Sequence, residues 1–342
     1  MRGPLFADAA YPVTGVLIVV EMERSRYRRP WDAAGFGSTV DASADWTSPT
    51  QRVLFWNALF GYTNRMKRIP LLHIILFCLT VLSTLVVGAL QTGADILKEP
   101  SHISRGVPFA LSLMVVLLTH ELSHYFASKR HGVKATLPYF IPAPTIIGTF
   151  GAFIKMKTPI VTRSALIDIG ASGPIAGFLV SIVAAVIGLG MSEIVPSAET
   201  KGVLKLGDSL LFAFLSKAIC GPMPADSDIL LNPIAFAGWI GLFVTSINLI
   251  PVGQLDGGHI AYAFLGEKHT RLSFVLVIGM SVLGVFLWEG WLVWALLLSV
   301  LGFRHPPVLY WEPSLDKARK TVGGISLFIF ILTFIPVPFA IV

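Results

Sequence analysis

The sequence predicts an all-α, polytopic membrane protein with about seven transmembrane helices. Of its 342 residues, 54% are hydrophobic and only 13% are charged, whereas soluble domains average about 25% charged residues. The apolar residues fall into stretches that approach the roughly 20 residues that a helix needs to cross a bilayer. Lys and Arg residues concentrate between these stretches, as they do in cytosolic loops of membrane proteins.

The predicted spans follow one another with short connections. They cover approximately residues 69–91, 107–128, 166–191, 230–250, 272–288, 291–302 and 323–342. If each span crosses once, the basic clusters all fall on one side, which places the N-terminus in the cytosol. These clusters are Arg65/Lys67/Arg68, Lys129/Arg130/Lys134, Lys155/Lys157/Arg163, Lys268/Arg271 and Lys317/Arg319/Lys320.

Three regions are predicted along the chain. Residues 1–68 are basic and rich in small and polar residues, and their apolar run from Val13 to Val20 is too short to span a bilayer. We therefore expect a flexible cytosolic tail there. Residues 69–310 are predicted to form a membrane-embedded core, and residues 311–342 a cytosolic loop followed by a C-terminal transmembrane helix.

The second predicted span contains the pattern His120-Glu121-Leu-Ser-His124. Side chains at positions i and i+4 project from the same face of a helix, so the two imidazoles can bind one Zn²⁺. Glu121, which follows the first histidine, is placed to act as a general base. His120 precedes Lys129 by nine residues (129 − 120), or about 14 Å of helix. The site is thus predicted within the hydrocarbon, displaced toward the cytosolic side.

Two histidines leave a zinc site incomplete, because catalytic zinc usually has three protein ligands. The best candidate for the third ligand is Asp256, at the end of the fourth predicted span. A carboxylate in that position is costly unless it is paired or bound to a metal. Pro251 interrupts the helix ahead of it, and Gly257 and Gly258 allow an unwound turn that aims Asp256 inward.

Residues 248–257 match N-x-x-P-x-x-x-L-D-G, and the third span carries Gly170, Gly173 and Gly177. Together with the histidine motif, these features resemble the site-2 protease family of zinc metalloproteases, which cleave within membranes. The resemblance covers about residues 65–310. Residues 131–144 are similar to the bacterial and plastid branch without a recognisable PDZ domain, and the loop at 192–229 is too short for such a domain.

This resemblance implies a role for each site residue. His120, His124 and Asp256 would bind one Zn²⁺ per chain, and Glu121 would be the catalytic acid and base. Asn248 would lie near the active centre as a hydrogen-bond donor to the substrate or the oxyanion. A buried amide that bridges two helices is the alternative interpretation of Asn248.

The segment from Ala135 to Lys157 is predicted to differ from the helical core. Its prolines and glycines exclude a continuous helix, and residues 149–154 are typical of an extended strand. We expect a short re-entrant hairpin near the zinc site, in which Phe150, Gly151 and Phe153 bind the substrate. An ordinary interfacial loop is the alternative.

Other conspicuous residues have simpler interpretations. The glycines of the third span favour close packing of helices, with the zinc helix as the expected neighbour. His131 and His259 are interpreted as interfacial residues, and Asp168 as a favourable charge at a helix N-terminus. Cys78 and Cys220 cannot form a disulfide framework.

The sequence therefore predicts an intramembrane zinc endopeptidase that cleaves transmembrane segments of other proteins, in a bacterial inner membrane or a comparable membrane. The net charge of +6 is explained by the basic loops, and no pattern for nucleic-acid binding is present. The alternatives are a transporter or metal permease, which would need polar residues along several spans, and an inactive scaffold, which the presence of Glu121 disfavours. The sequence carries no signal for an oligomeric state.

Overall fold

The computed structural model describes residues 70–197, 204–222, 224 and 226–341. The predicted tail, residues 1–68, lies outside the described residues. The described helices are α1 Leu71–Gln91, α2 Val107–Arg130, α3 Arg163–Leu189, α4 Leu210–Cys220, α5 Pro233–Asn248, α6 Asp256–Leu265, α7 Lys268–Phe286, α8 Gly290–Leu301 and α9 Lys317–Thr333. The described strands are β1 Tyr139–Pro142, β2 Thr149–Phe153, β3 Glu193–Pro196, β4 Leu204–Leu206, β5 Ser227–Leu230 and β6 Phe339–Ile341, and a short 3-10 helix, Pro100–Gly106, precedes α2.

Four of the described helices are long and apolar enough to cross a membrane. They are α1, α2 with the 3-10 helix before it, α3 and α7. The outer faces of α1 and α7 expose large apolar side chains, among them Leu72, Leu79, Phe274 and Val282. Such contiguous apolar surface is typical of contact with lipid. The structure thus confirms the expectation of a mostly helical, polytopic membrane protein, with four helices of spanning length among the described residues.

Two predicted spans, those of α5 and α9, are shorter than the sequence suggested, whereas α8 has the predicted 12 residues. Helices α5 and α8 have 16 and 12 residues, or about 24 and 18 Å of helix. The last helix begins at Lys317 and ends at Thr333 instead of continuing from residue 323 to the C-terminus. Pro336 and Pro338 follow it, and prolines cannot continue a helix. The chain then forms β6, which pairs with β4.

Helix α5 lies at the centre of the structure. It packs against α2 and α3, and Trp239, Ile240 and Leu242 are fully buried. A Cβ at Gly238 would meet the backbone of Ala185 in α3, so glycine permits the two helices to cross closely. Because other helices cover α5, it needs neither a polar face nor the length of a lipid-exposed span.

Strands β1 and β2 form an antiparallel hairpin, with Tyr139 opposite Phe153 and Phe140 opposite Ala152. The hairpin lies along α1. His73 stacks on Tyr139 with 4.1 Å between ring centroids, the Ser83 hydroxyl donates to the Gly148 carbonyl at 2.6 Å, and Gln91 donates to the Ile146 carbonyl at 3.0 Å. The predicted interruption of the helical core is therefore present, and it takes the form of a hairpin.

The segment between α3 and α5 was expected to be a loop. Its described residues instead form β3, β4, α4 and β5. Strand β3 pairs antiparallel with β5, with Glu193 opposite Leu230. The Trp239 indole of α5 donates to the Gly207 carbonyl at 2.8 Å and attaches this region to the helical core.

Candidate metal centre

The side chains of His120, His124 and Asp256 converge although 136 residues separate the first from the last. The His120 and His124 Nε2 atoms are 3.1 Å apart, and each lies 3.2 Å from Asp256 Oδ2. The three atoms thus form a nearly equilateral triangle. In the part of the chain that the structure describes, this is the one group of three or more His, Cys, Asp or Glu residues that could hold a metal ion.

The dimensions of the triangle fit zinc. In a tetrahedral site with metal–ligand distances of about 2.0–2.1 Å, the ligand atoms are about 3.3 Å apart. The observed separations of 3.1 and 3.2 Å therefore match three corners of such a site. Two imidazoles and one carboxylate are also ligands that zinc accepts, and three protein ligands leave a fourth position open.

A turn between α5 and α6 places Asp256 in this triangle. Helix α5 ends at Asn248, residues 249–255 connect the two helices, and Asp256 is the first residue of α6. The turn was predicted, but Gly257 and Gly258 do not unwind it, because both belong to the first turn of α6. A Cβ at Gly257 would overlap the Leu249 carbonyl. The glycine is needed for this close approach of α6 to the end of α5.

The backbone of α3 orients His124. Its Nδ1 atom donates a hydrogen bond to the Ile169 carbonyl at 2.7 Å, which leaves the Nε2 lone pair directed toward the other two ligand atoms. Metal-binding histidines commonly fix their tautomer in this way. Sequence reasoning missed Ile169, because a backbone acceptor leaves no trace in residue types.

Asp168, the neighbour of Ile169, holds three elements together. Its carboxylate accepts a hydrogen bond from Arg319 Nε of α9 at 3.0 Å and contacts His131 Nε2, after α2, at 2.9 Å. Asp168 was interpreted as a helix N-terminal charge and His131 as an interfacial residue. The structure corrects the first interpretation, because Asp168 lies beyond the first turn of α3 and pairs with Arg319 of α9, 151 residues away.

The glycines of α3 make room for the histidine rings. A Cβ at Gly173 would overlap the His124 ring, and a Cβ at Gly177 would lie 3.0 Å from His120 Nδ1. The prediction of packing against the zinc helix is confirmed for Gly173 and Gly177, whereas Gly170 faces His259 and Asp256 of α6. The rings reach the triangle because nothing larger than hydrogen stands at these positions.

We expect Gly173→Ala to weaken zinc binding by tenfold or more, because the new methyl group forces His124 out of its rotamer. Zinc affinity would be measured by competition with a chromophoric chelator. Gly279→Ala in α7 is the matched control, since a Cβ there meets no atom within 4 Å. Equal zinc affinity in the two variants would show that His124 is not held against α3 as the structure indicates.

Glu121 and Asn248 lie beside the triangle. Glu121 is buried, with 6% of its surface exposed, and β2 packs against α2, the helix that carries it. The Asn248 amide nitrogen is 3.3 Å from His120 Nε2. Both side chains that were predicted near the metal site therefore border it.

The predicted substrate-binding residues lie on the hairpin. Phe150 and Phe153 are exposed, and Gly151 has a positive φ of 94°, a conformation that favours glycine. His259, three residues after Asp256, contributes no atom to the triangle. Its Nδ1 contacts His305 Nε2 at 2.6 Å.

The comparisons with known proteins agree with this geometry. The model of peptidase family M50 matches residues 108–287, the stretch that holds both motif histidines, Asp256 and the hairpin. The chain belongs to peptidase family M50.

Two curated relatives of this M50 chain come from Arabidopsis thaliana. It is 33% identical over 245 residues to "Probable zinc metalloprotease EGY1, chloroplastic", an alignment that covers 69% of this chain and 44% of the relative. It is 33% identical over 246 residues to "Probable zinc metalloprotease EGY2, chloroplastic", with 69% and 42% covered. A form of EGY2 from Oryza sativa subsp. indica is 30% identical over 241 residues, with 68% and 43% covered.

The M50 chain thus spans less than half the length of these relatives. They are named as chloroplastic, which gives no support to the expected bacterial inner membrane. No solved structure matches the chain.

Proposed function

We propose that this protein is an intramembrane zinc endopeptidase that cleaves transmembrane segments of other membrane proteins. The observation that carries the proposal is the triangle of His120, His124 and Asp256, whose two histidines lie with Glu121 on a helix long and apolar enough to cross a membrane. Two comparisons support it. The chain belongs to peptidase family M50, and its relatives are named as probable zinc metalloproteases.

The residues of the site have complementary tasks in this proposal. Zinc, when bound, would lower the pKa of a coordinated water and polarise the scissile carbonyl. Glu121 would take the proton from the attacking water and deliver it to the leaving amine. Asn248, whose amide nitrogen borders His120, would donate a hydrogen bond to the substrate carbonyl oxygen. Burial of His120, Glu121 and His124 strengthens each of these interactions.

The hairpin gives the proposal its substrate site. A transmembrane helix hides its peptide bonds, so the substrate must be locally unwound before attack. The hairpin follows α1 from His73 to Gln91, a distance of 18 residues (91 − 73), or about 27 Å. The segment that enters the hairpin and the segment that leaves it meet where the Lys157 amide donates to the Lys134 carbonyl at 2.6 Å. These contacts support a re-entrant hairpin, whose edge would hold the unwound substrate by strand addition, with Phe150, Gly151 and Phe153 lining that part of the site.

The membrane arrangement is the finer part of the proposal. We infer about seven membrane-embedded helices, of which α5 is sheltered by protein, with the N-terminus in the cytosol. Hydrogen bonds join the basic segments that the positive-inside rule placed on one side: His131 to Asp168, Arg319 to Asp168, and Arg163 to the Ala263 carbonyl at 2.7 Å. The contacts between these basic segments agree with their placement on one side of the membrane. They also support a core at residues 69–310 that is followed by a cytosolic loop and the C-terminal helix.

A transporter or metal permease is less well supported. A permeation pathway needs polar groups at several depths. Among the described residues, the candidate metal ligands form a single group, which favours one catalytic centre.

Trapping of substrates in cells tests the proposed function. Membranes from cells that produce the wild-type protein would be compared by quantitative proteomics with membranes from cells that produce Glu121→Gln. We expect single-span proteins to accumulate uncut with Glu121→Gln, and their fragments to appear only with the wild type. Identical membrane proteomes, at equal levels of the two proteins, would contradict the proposal.

A further inference from the structure

Two hydrogen bonds join α2 to the first two turns of α3. His124 Nδ1 donates to the Ile169 carbonyl at 2.7 Å, and His131 Nε2 donates to the Asp168 carboxylate at 2.9 Å. His131 directly follows α2 and lies seven residues after His124 (131 − 124), which is about two helical turns. The two donors therefore share one face of α2, and their acceptors are neighbouring residues of α3. The His131 contact thus holds α3 beside α2 close to the point where α3 orients a metal ligand.

The carboxylate of Asp168 is itself held in place from α9. Arg319 Nε donates to Asp168 Oδ1 at 3.0 Å, and Arg319 Nη2 donates to Oδ2 at 2.5 Å. Two parallel bonds of this kind fix the orientation of a carboxylate as well as its position. Arg319 is fixed in turn, because its Nη1 donates to Asp316 Oδ2 at 2.6 Å. The side chains of Asp168 and Arg319 are 24% and 30% exposed, so salt screens this pair less than a pair on the open surface.

The Ile169 carbonyl is the polar group through which α3 sets the angle of the His124 ring. The ring also packs on Gly173, which has no side chain to hold it. A hydrogen bond weakens steeply when its angle falls below about 120°, so a small rotation of α3 would release the ring. The same carbonyl accepts from Ser172 Oγ at 2.8 Å, a partner that it would keep if His124 moved away. The orientation of His124 therefore depends on what prevents α3 from rotating.

We propose that Asp168, held by Arg319, is a positioning residue of the metal centre. The pair keeps α3 in the rotation at which the Ile169 carbonyl meets His124 Nδ1, and His131 ties this part of α3 to the end of α2. Arg319 lies outside residues 108–287, the stretch that the M50 model matches, so α9 supports the centre from beyond that stretch. The inference rests on the proposed function in one respect, that His124 binds the metal.

Measurements of metal binding, without catalysis, test this role in the full-length protein in detergent. Asp168→Asn keeps the shape of the side chain and removes its charge, Arg319→Gln removes charge and fork, and Arg319→Lys keeps the charge without the fork. Arg271→Gln is the matched control, since Arg271 is an exposed residue of α7. Zinc affinity would be measured by competition with a chromophoric chelator, and ligand geometry from the visible spectrum of the Co²⁺-loaded protein. The melting temperature of the metal-free protein would report on the fold alone.

We expect Asp168→Asn and Arg319→Gln each to lower zinc affinity by about tenfold or more, as is typical when an outer partner of a metal ligand is lost. Both should shift the Co²⁺ spectrum, while the melting temperature of the metal-free protein falls by no more than about 4 °C. Arg319→Lys should lose less affinity than Arg319→Gln. The double variant should be no weaker than the more affected single variant, because both residues act through one link. Arg271→Gln should bind zinc as the wild type does.

Wild-type zinc affinity and Co²⁺ spectra in Asp168→Asn and Arg319→Gln would overturn the inference, even with lower melting temperatures, since the pair would then serve stability alone. Additive losses in the double variant would also overturn it. Should either variant fail to fold, Arg319→Lys, which keeps the ion pair, decides by the same comparison with the wild type. Failure of the proposed function is distinguishable, because a protein with the expected metal binding that cuts no substrate would refute the peptidase and leave the role of Asp168 intact.

Discussion

Asp256→Ala is expected to leave the purified protein with far less than one zinc per chain. The loss of a partner of a metal ligand typically lowers metal affinity by 10- to 100-fold, so the loss of a ligand should lower it by at least about 100-fold. Asp256 supplies the one carboxylate of the triangle, 3.2 Å from both histidine nitrogens. Zinc would be quantified by mass spectrometry after washing with a chelator.

His259→Ala is the control for this prediction. His259 lies on the same helix as Asp256 and its ring contacts His305 instead of the triangle, so this variant should retain about one zinc. Circular dichroism would establish that both variants keep their helices. Equal zinc contents in Asp256→Ala and His259→Ala would remove Asp256 from the metal site.

Glu121→Gln is expected to keep zinc and fold while cleavage falls by at least a factor of about 10² to 10⁴. Gln has the shape of Glu, but it cannot take a proton from water. The variant and the wild type would be compared in liposomes with a single-span substrate. Zinc content and the melting temperature would be measured in parallel.

Substantial cleavage by Glu121→Gln would show that another group is the base. Loss of zinc together with activity would show instead that Glu121 supports the metal site. Only a variant that retains zinc and loses cleavage would therefore identify Glu121 as the base.

The sequence predicted best those features that depend on local composition. The bounds of α1, α2, α3 and α7 lie within four residues of the predicted spans, because a long apolar run that must satisfy its backbone in lipid has few alternatives to a helix. The convergence of Asp256 on the two histidines followed from chemistry, since an isolated carboxylate at that depth needs a partner.

Features that depend on distant contacts could not be predicted in this way. The contact of Arg319 with Asp168 joins residues 151 positions apart, and neither residue is unusual in its own segment. Helix α5 is short because its neighbours cover it, and β6 forms because β4 is beside it. Gly173 was recognised as a packing residue, but only the structure shows that it faces the His124 ring.

The position of the cut in the substrate distinguishes cleavage inside the membrane from cleavage in water. The metal-stripped protein would be reconstituted in liposomes with a single-span substrate, zinc would be added in steps, and both fragments would be sequenced by mass spectrometry. We expect cleavage to rise to a plateau at one zinc per chain. We also expect the cut to lie inside the substrate's transmembrane segment, in the half nearer the basic loops. Cuts only in the water-exposed flanks, or cleavage that does not depend on zinc, would contradict it.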